Sequence, residues 1–196
     1  MKILAFADTH SDLEAIRKLA SRAKSEGADA ILCAGDVSEF GDKIGQIFEE
    51  LDVGLPMVYI PGNHEEEGAD ISKRFKYVKN IHKKTLCIGS VLFLGCGGGG
   101  FSKFFTAFER LIPVFKDAIA KHNGPTILVT HAPPYKTRLD QMGRMDVGAE
   151  PIRKFIEEAQ PDYAVSGHIH ENAGRKDKIG KTICINPGPK GVLIEV

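Results

Sequence analysis

Five short polar clusters recur along the chain, each directly after an apolar run: Asp8-Thr9-His10, Gly35-Asp36, Gly62-Asn63-His64-Glu65, Thr130-His131 and Gly167-His168-Ile169-His170. Of the seven histidines, His10, His64, His131, His168 and His170 fall in these clusters. His82 and His122 sit among lysines and read as solvated surface residues. Imidazoles together with carboxylate and amide oxygens suit two adjacent divalent ions, with manganese, iron, nickel and zinc all compatible and manganese favoured. Asp8 and His10 are two residues apart, as are His168 and His170, so at the end of an extended strand each pair can face one side. A carboxylate such as Asp36 can bridge ions ~3.5–4 Å apart. Glycine before Asp36, Asn63 and His168 allows the sharp turns that present them.

The charge of such a centre selects its substrate. Asp8, Asp36 and a bridging hydroxide cancel only part of the charge of two divalent ions, so the site stays cationic and attracts an anion. It can stabilise the charge that develops in phosphoryl transfer. It also supplies the nucleophile, because a bound water's pKa can fall from 15.7 to about 7. Hydrolysis of a phosphate ester is the chemistry expected.

The elements that must position these residues alternate. Lys2 to Ala7 reads as a buried strand, and Leu13, Ile16, Leu19, Ala20 and Ala23 recur at helical spacing. Ala28 to Ala34 is a second strand, Ile44, Ile47, Phe48 and Leu51 mark a helix face, and Pro56 to Ile60 is a third strand. Lys84 to Ile88 and Val91 to Leu94 form a hairpin about Gly89-Ser90. Phe104 to Ala120 is a helix bent or begun late at Pro113. A strand at Thr126 to Thr130, a helix at Ile152 to Ala159, and strands at Tyr163 to Ser166, Thr182 to Ile185 and Val192 to Val196 complete the chain. Strand–helix alternation predicts an α/β domain with an at least partly parallel sheet. In such sheets ligands gather beyond the carboxyl ends of the strands, where the polar clusters fall.

At 196 residues, 42% apolar and 27% charged, one globular domain spanning residues 1–196 is expected. Lysine plus arginine balance aspartate plus glutamate at 26 each, so no net field draws the chain to nucleic acid or an acidic membrane. The short apolar start and the absence of a membrane-length run predict a cytoplasmic protein. Cys33, Cys87, Cys96 and Cys184 form no CxxC and read as buried reduced thiols.

The polar clusters, in this order, resemble the calcineurin-like metallophosphoesterase superfamily, whose pattern is D-x-H, G-D, G-N-H-[DE], a lone His after a strand, and G-H-x-H. The segments His131-Ala-Pro-Pro134 and Ile185-Asn-Pro-Gly188 look similar to small prokaryotic phosphoesterases related to cyclic-nucleotide phosphodiesterases. The resemblance implies a four-layer α/β/β/α sandwich. It implies one metal held by Asp8, His10, Asp36 and His170, and a second by Asp36, Asn63, His131 and His168. His64 would then protonate the leaving oxygen or bind the phosphate. The expected activity is phosphoester hydrolysis, a phosphodiester in preference, with a phosphomonoesterase or nucleotidase as the alternative. Many relatives carry another acidic residue soon after the second cluster; Glu39 is the candidate here.

Other readings compete. Gly95-Cys-Gly-Gly-Gly-Gly100 satisfies G-x-G-x-x-G, but it lies mid-chain after a hairpin, so a rim loop is expected rather than a dinucleotide site. Phe101, Phe104 and Phe105 after it read first as inward packing and otherwise as a grip on substrate. Lys73, Arg74, Lys76, Lys79, Lys83 and Lys84, with Phe75 and Tyr77 interleaved, could touch a nucleic-acid backbone. The acidic run Glu65 to Glu67 blunts that field, and a small phosphate ester is the preferred partner. Arg138 and Arg144 read either as phosphate contacts or as surface residues. Some members of the superfamily are non-catalytic scaffolds, a reading against which the intact ligand set and His64 stand.

Overall fold

The computed structural model describes residues 1–65 and 71–196. In chain order the elements are β1 (Lys2–Phe6), α1 (Leu13–Ser25), β2 (Ala30–Cys33), α2 (Ile44–Glu50), β3 (Met57–Tyr59), β4 (Val78–Asn80), β5 (Lys84–Ile88), β6 (Val91–Cys96), α3 (Thr106–Glu109), α4 (Ile112–Ala120), β7 (Thr126–Thr130), β8 (Gln141–Met142), β9 (Met145–Asp146), α5 (Glu150–Ala159), β10 (Tyr163–Val165), β11 (Lys176–Ile179), β12 (Thr182–Ile185) and β13 (Val192–Glu195).

Two sheets carry the architecture. One has the order β13-β1-β2-β3-β4 and the other β11-β12-β10-β7-β6-β5. Strands β1 to β4 run parallel, as do β6, β7, β10 and β12, while β13, β11 and β5 are antiparallel edges. Strands covered on both faces read as continuous apolar runs, as Ile3 to Ala7 does. Along β1, Leu4 and Phe6 turn outward to meet Ile16, Leu19, Ile47 and Phe48 of α1 and α2. Ile3 and Ala5 turn inward, with Leu32 and Val58, against Phe93, Ile127, Val129 and Val165 of the second sheet. The outer face of that sheet buries Leu94 and Leu128 beneath Phe108, Phe115, Ile152 and Phe155. Three apolar seams thus separate four layers, helix, sheet, sheet and helix.

The helices start and stop for local reasons. Asp12 caps α1 by accepting the backbone N–H of Glu14 (2.9 Å) and Ala15 (3.1 Å), groups that no earlier turn can satisfy. Pro113 divides the expected Phe104–Ala120 helix: α3 ends at Glu109, and the proline sits in the first turn of α4, where its missing N–H costs nothing. Strands β4, β8, β9 and β11 lack the apolar pattern that would have marked them. Lys176–Ile179 is an edge strand with one buried residue, held by its register on β12.

Phe75 and Tyr77 pack on the α1–α2 seam, and Arg74 donates to Glu49 at 2.9 Å, so the aromatics of the basic stretch are not offered for base stacking. Glu65 is buried and contributes nothing to the surface field there, while Glu66 and Glu67 lie outside the described residues. Cys33, Cys96 and Cys184 are buried as expected; Cys87 is exposed, on the outward face of edge strand β5. Among the described residues no helix is long and apolar enough to cross a membrane.

Phe93 lies fully buried between the sheets. Phe93→Ala should cost about 3–5 kcal/mol, read as a lower urea midpoint at unchanged slope. Phe104→Ala, at an exposed position, should stay within about 0.5 kcal/mol of the parent.

Candidate metal centre

The carboxyl ends of β1, β2 and β3 from one sheet and of β7 and β10 from the other meet at one rim. There the chain leaves strand geometry abruptly. Asp8, His10, Ser11, Asp36 and His168 all have left-handed backbones, with φ of 58°, 44°, 62°, 51° and 71°. Non-glycine residues seldom adopt this region, and it recurs where a site over-determines the backbone. Asp8 and His10 therefore do not share a face by strand alternation; a coiled segment, not an extended one, brings them together. His168 and His170 go to different clusters, His170 from a 3₁₀ turn spanning His170–Asn172.

The coiled segments are tied to one another. Asp8 N donates to Gly35 O (3.0 Å), His10 N to Asp36 O (3.1 Å), and Ser11 N and Thr9 Oγ1 to Val37 O (3.1 and 3.0 Å). Glu65, not singled out as a site residue from the sequence, anchors the next turn. Its buried carboxylate accepts from Gly62 N (2.8 Å), Asp36 N (2.9 Å), Ser38 N (2.8 Å) and Ser38 Oγ (3.2 Å). Asp36 accepts from His64 N (2.9 Å), and Asp8 from His168 N (3.0 and 3.1 Å). Gly35 is a true turn glycine at φ +98°. Gly62 and Gly167 serve differently: a Cβ on either would stand 1.9 Å from Asp36 Oδ1 or 2.7 Å from Asp8 Oδ2. Asn186, which reads as a simple turn residue, is buried and donates to Ile169 O (3.1 Å) between the two histidines of the last cluster.

The side chains converge as three overlapping groups, linked in a row through His10 and Asp36. Asp8, His10 and His170 bring ligand atoms within 4.8 Å of one another, as do Asp36, His131 and His168, and also His10, Asp36 and His64. His10 Nε2 and His170 Nε2 are 3.0 Å apart. His131 Nδ1 donates to Ala34 O (2.8 Å), which aims Nε2 at Asp36 Oδ2 (3.2 Å) and Asn63 Oδ1 (3.0 Å). Such a backbone anchor fixes the tautomer of a ligating histidine. All eight residues expected at the site, Asp8, His10, Asp36, Asn63, His64, His131, His168 and His170, therefore lie together.

The two buried carboxylates are driven apart. Burial raises Asp8, only partly opposed by His131 and by the His168 N–H. Burial also acts on Asp36, but the hydrogen bond and charge of His131 outweigh it and, with the His64 N–H, hold Asp36 at about 2. His131 feels the reverse: burial lowers it, and Asp36 and Asp8 raise it further, above its usual value. His168 is lowered to about 4 by burial and by the charge of His131. Its Nε2 is buried with no hydrogen-bond partner among the described residues. A buried neutral imidazole with a spare nitrogen, beside a carboxylate, is the donor set a divalent ion requires.

Glu39, exposed at the rim, accepts from His10 Nδ1 (2.9 Å) and His64 Nδ1 (3.1 Å). One carboxylate thus orients a cluster histidine and the expected acid together, turning the Nε2 of each towards Asp36. His64 Nε2 lies 3.9 Å from Asp36 Oδ2. The glycine segment after β6 crosses the rim: Gly98 N donates to Pro61 O (2.9 Å), and a Cβ on Gly97 would meet that carbonyl at 2.2 Å. Phe105 packs inward on Phe108, whereas Phe101 and Phe104 are exposed, correcting the expectation of inward packing. His82 and His122 are half-buried rather than solvated, engaging Gly97 N and Ser90 O at 3.0 Å. Arg138 lines a separate groove with Tyr163, Lys176 and Asp177, and Arg144 lies exposed in the β8–β9 turn.

A model of calcineurin-like phosphoesterases matches residues 1–172, and the chain belongs to that family. It is 33% identical to the uncharacterized protein MJ1162 of Methanocaldococcus jannaschii, over 99% of this chain and 91% of that one. The crystal structure of TT1561 of Thermus thermophilus aligns with a TM-score of 0.77 at 20% identity, covering 96% of this chain and 90% of the other. A dimetal phosphatase from Danio rerio aligns with a TM-score of 0.70 at 9% identity, covering 94% and 86%. These two structures share the four-layer fold.

In the chelator-stripped protein, ring NMR should find His168 neutral down to about pH 4 and His131 titrating above 6.5. The unfolded chain protonates His168 near 6.5 and the folded chain near 4, so this group withdraws stability as pH falls between them. A His168 titration at 6.5 would contradict the buried, neutral ring.

Proposed function

With family membership as the premise, we propose that this chain hydrolyses a phosphate ester, in preference a phosphodiester, at a dinuclear metal centre. The observation that carries the reading is Asp36, shared between two His/Asp clusters, beside the unpartnered Nε2 of His168. In this reading Asp8, His10, Asp36 and His170 hold one ion and Asp36, Asn63, His131 and His168 the other, manganese being the first ion to supply. When bound, the ions supply Lewis acidity to the phosphoryl oxygens and a water acidified towards neutrality. The chain's own residues do the rest. His131 and His10 are presented through Nε2 because Ala34 O and Glu39 hold their other nitrogens. His64 points Nε2 to the rim while Glu39 accepts from Nδ1, so a protonated His64 can give its Nε2 proton to the leaving oxygen.

The diester preference has its own support. The ring of Phe40 lies 4.6 Å from that of His64, and the ring of Phe101 4.4 Å from that of His168. Both phenylalanines are exposed, at 76% and 62%. An apolar wall on each side of the centre suits an ester with two organic groups better than a monoester with one.

The test is turnover of a chromogenic phosphodiester and its monoester counterpart by chelator-stripped protein, with and without manganese. Manganese-dependent hydrolysis with the diester faster is expected; a faster monoester would make the chain a phosphatase, and no metal uptake would make it a scaffold. His64→Ala should keep the bound metal and lose rate by about 10²–10⁴-fold. Asp36→Asn should lower metal content at both positions, measured by elemental analysis. Metal loss in His64→Ala would overturn the division between ligands and acid.

A further inference from the structure

Phe40 stands in a conformation that folding alone does not favour. Its backbone is left-handed at φ 47°, an outlier for a bulky residue. The residue is also 76% exposed, so little burial offsets the strain. Glycine would adopt that backbone at no steric cost. Outliers of this kind persist where the surrounding structure over-determines them, and they gather at functional sites.

The turn that holds Phe40 is tied on both sides. Ser11 Oγ accepts from Glu39 N and donates to Asp42 O, both at 2.9 Å. Asp42 N donates to Glu39 O (2.9 Å), and Gly41 N to Ser38 Oγ (3.2 Å). Ser38 Oγ in turn donates to the buried Glu65 carboxylate (3.2 Å). Gly41 and Lys43 are left-handed as well, with φ of 84° and 52°. These bends deliver two neighbouring side chains to one target. Glu39 accepts from His64 Nδ1 at 3.1 Å, and the Phe40 ring lies 4.6 Å from the His64 ring, with 37° between planes.

The two contacts constrain different things. One hydrogen bond fixes a point of the imidazole and leaves the ring free to swing about it. Glu39 is moreover half-exposed, where water competes for the same bond. A ring packed against the imidazole fixes its plane. The ring of His10, 4.8 Å away at 85°, meets it from a second direction. Nε2, across the imidazole from Nδ1, is thereby held 3.9 Å from Asp36 Oδ2.

We propose that Phe40 is a positioning residue: its ring sets the plane of His64, and so the aim of the Nε2 proton at the departing oxygen. This rests on the hydrolase reading above, in which His64 is the acid, and adds a residue to it. As the P–O bond breaks, the leaving oxygen takes that proton and departs as an alcohol, and His64 is left neutral. A leaving group that is stable as an anion needs no proton, whereas a basic one does. Loss of Phe40 therefore penalises esters by the basicity of the leaving group.

Methyl 4-nitrophenyl phosphate and methyl phenyl phosphate share the retained group and an aryl leaving group, and differ mainly in that basicity. In the manganese-loaded protein, Phe40→Ala should lower kcat on the phenyl ester about 3- to 10-fold more than on the nitrophenyl ester, the range one aromatic contact supplies. Metal content should not change, and Phe40→Tyr should keep the parent's ratio of rates. Phe40→Gly should lose that ratio while the melting temperature holds, because glycine relieves the backbone. In a His64→Ala background, Phe40→Ala should leave the ratio where it is. Equal losses on the two esters would make Phe40 a substrate wall alone, and a changed ratio without His64 would place its effect elsewhere; either overturns the positioning role. If the parent hydrolyses neither ester, the hydrolase reading fails separately, and proton NMR of the chelator-stripped protein still decides the role of Phe40. The hydrogen-bonded Nδ1 proton of His64, assigned by its absence in His64→Ala, should be lost to exchange in Phe40→Ala. Its persistence there overturns the positioning role.

Discussion

The carboxylate of Glu65 accepts hydrogen bonds from Gly62, Asp36 and Ser38, and through them it joins the turn after β2 to the turn after β3. Three backbone N–H groups there have no strand to bond, and water cannot reach them. Burial alone would raise the Glu65 carboxyl, and those N–H groups oppose the shift. Without this acceptor, Asp36 would lose the backbone orientation that lets one carboxylate face two clusters. The cost of three unmet buried donors, about 1–3 kcal/mol each, is why the turns close around an acid rather than an amide, which would turn a donor towards one of the pairs.

The same shortage of space governs the remaining carboxylates. Gly62 and Gly167 stand where any side chain would overlap Asp36 or Asp8, so backbone presses directly on the charged groups and supplies them with N–H bonds from His64 and His168. The site is thus assembled by backbone approach between two sheets. Its histidines come from opposite sides of the sandwich: His10 and His64 from one sheet, His131, His168 and His170 from the other. The apolar seam between the sheets, with Phe93 and Ile127 facing Ile3 and Val58, therefore sets the distance between the clusters.

Much of this was legible in the sequence because parallel strands buried on both faces leave continuous apolar runs, and their ends are where the polar residues stand out. The break at Pro113 and the alternation of strands and helices followed from local chemistry. Strands β4 and β11 were not legible, since edge strands are held by a neighbour's register rather than by their own pattern. Spacing gave the right partners for Asp8 with His10 for the wrong reason: the chain coils there in left-handed conformations that no composition announces. Glu65 was visible as the last letter of G-N-H-[DE], yet its task as a hydrogen-bond acceptor appears only once three N–H groups are seen to face it. Asn186 and Asn172 were hidden likewise, because a buried amide that braces a loop looks in sequence like a turn residue.

The approach of two imidazoles reaches beyond geometry. A neutral His10 that gives its Nδ1 hydrogen to Glu39 can only accept at Nε2, so its 3.0 Å approach to Nε2 of His170 takes a hydrogen from His170. An imidazole nitrogen that carries a hydrogen has no lone pair to give. Capture of an ion at this end of the centre is therefore also a proton relocation on His170, to its other nitrogen or to solvent. Metal uptake at this end is thereby coupled to the release or relocation of a proton, because a ligand nitrogen must shed its hydrogen before it can bind.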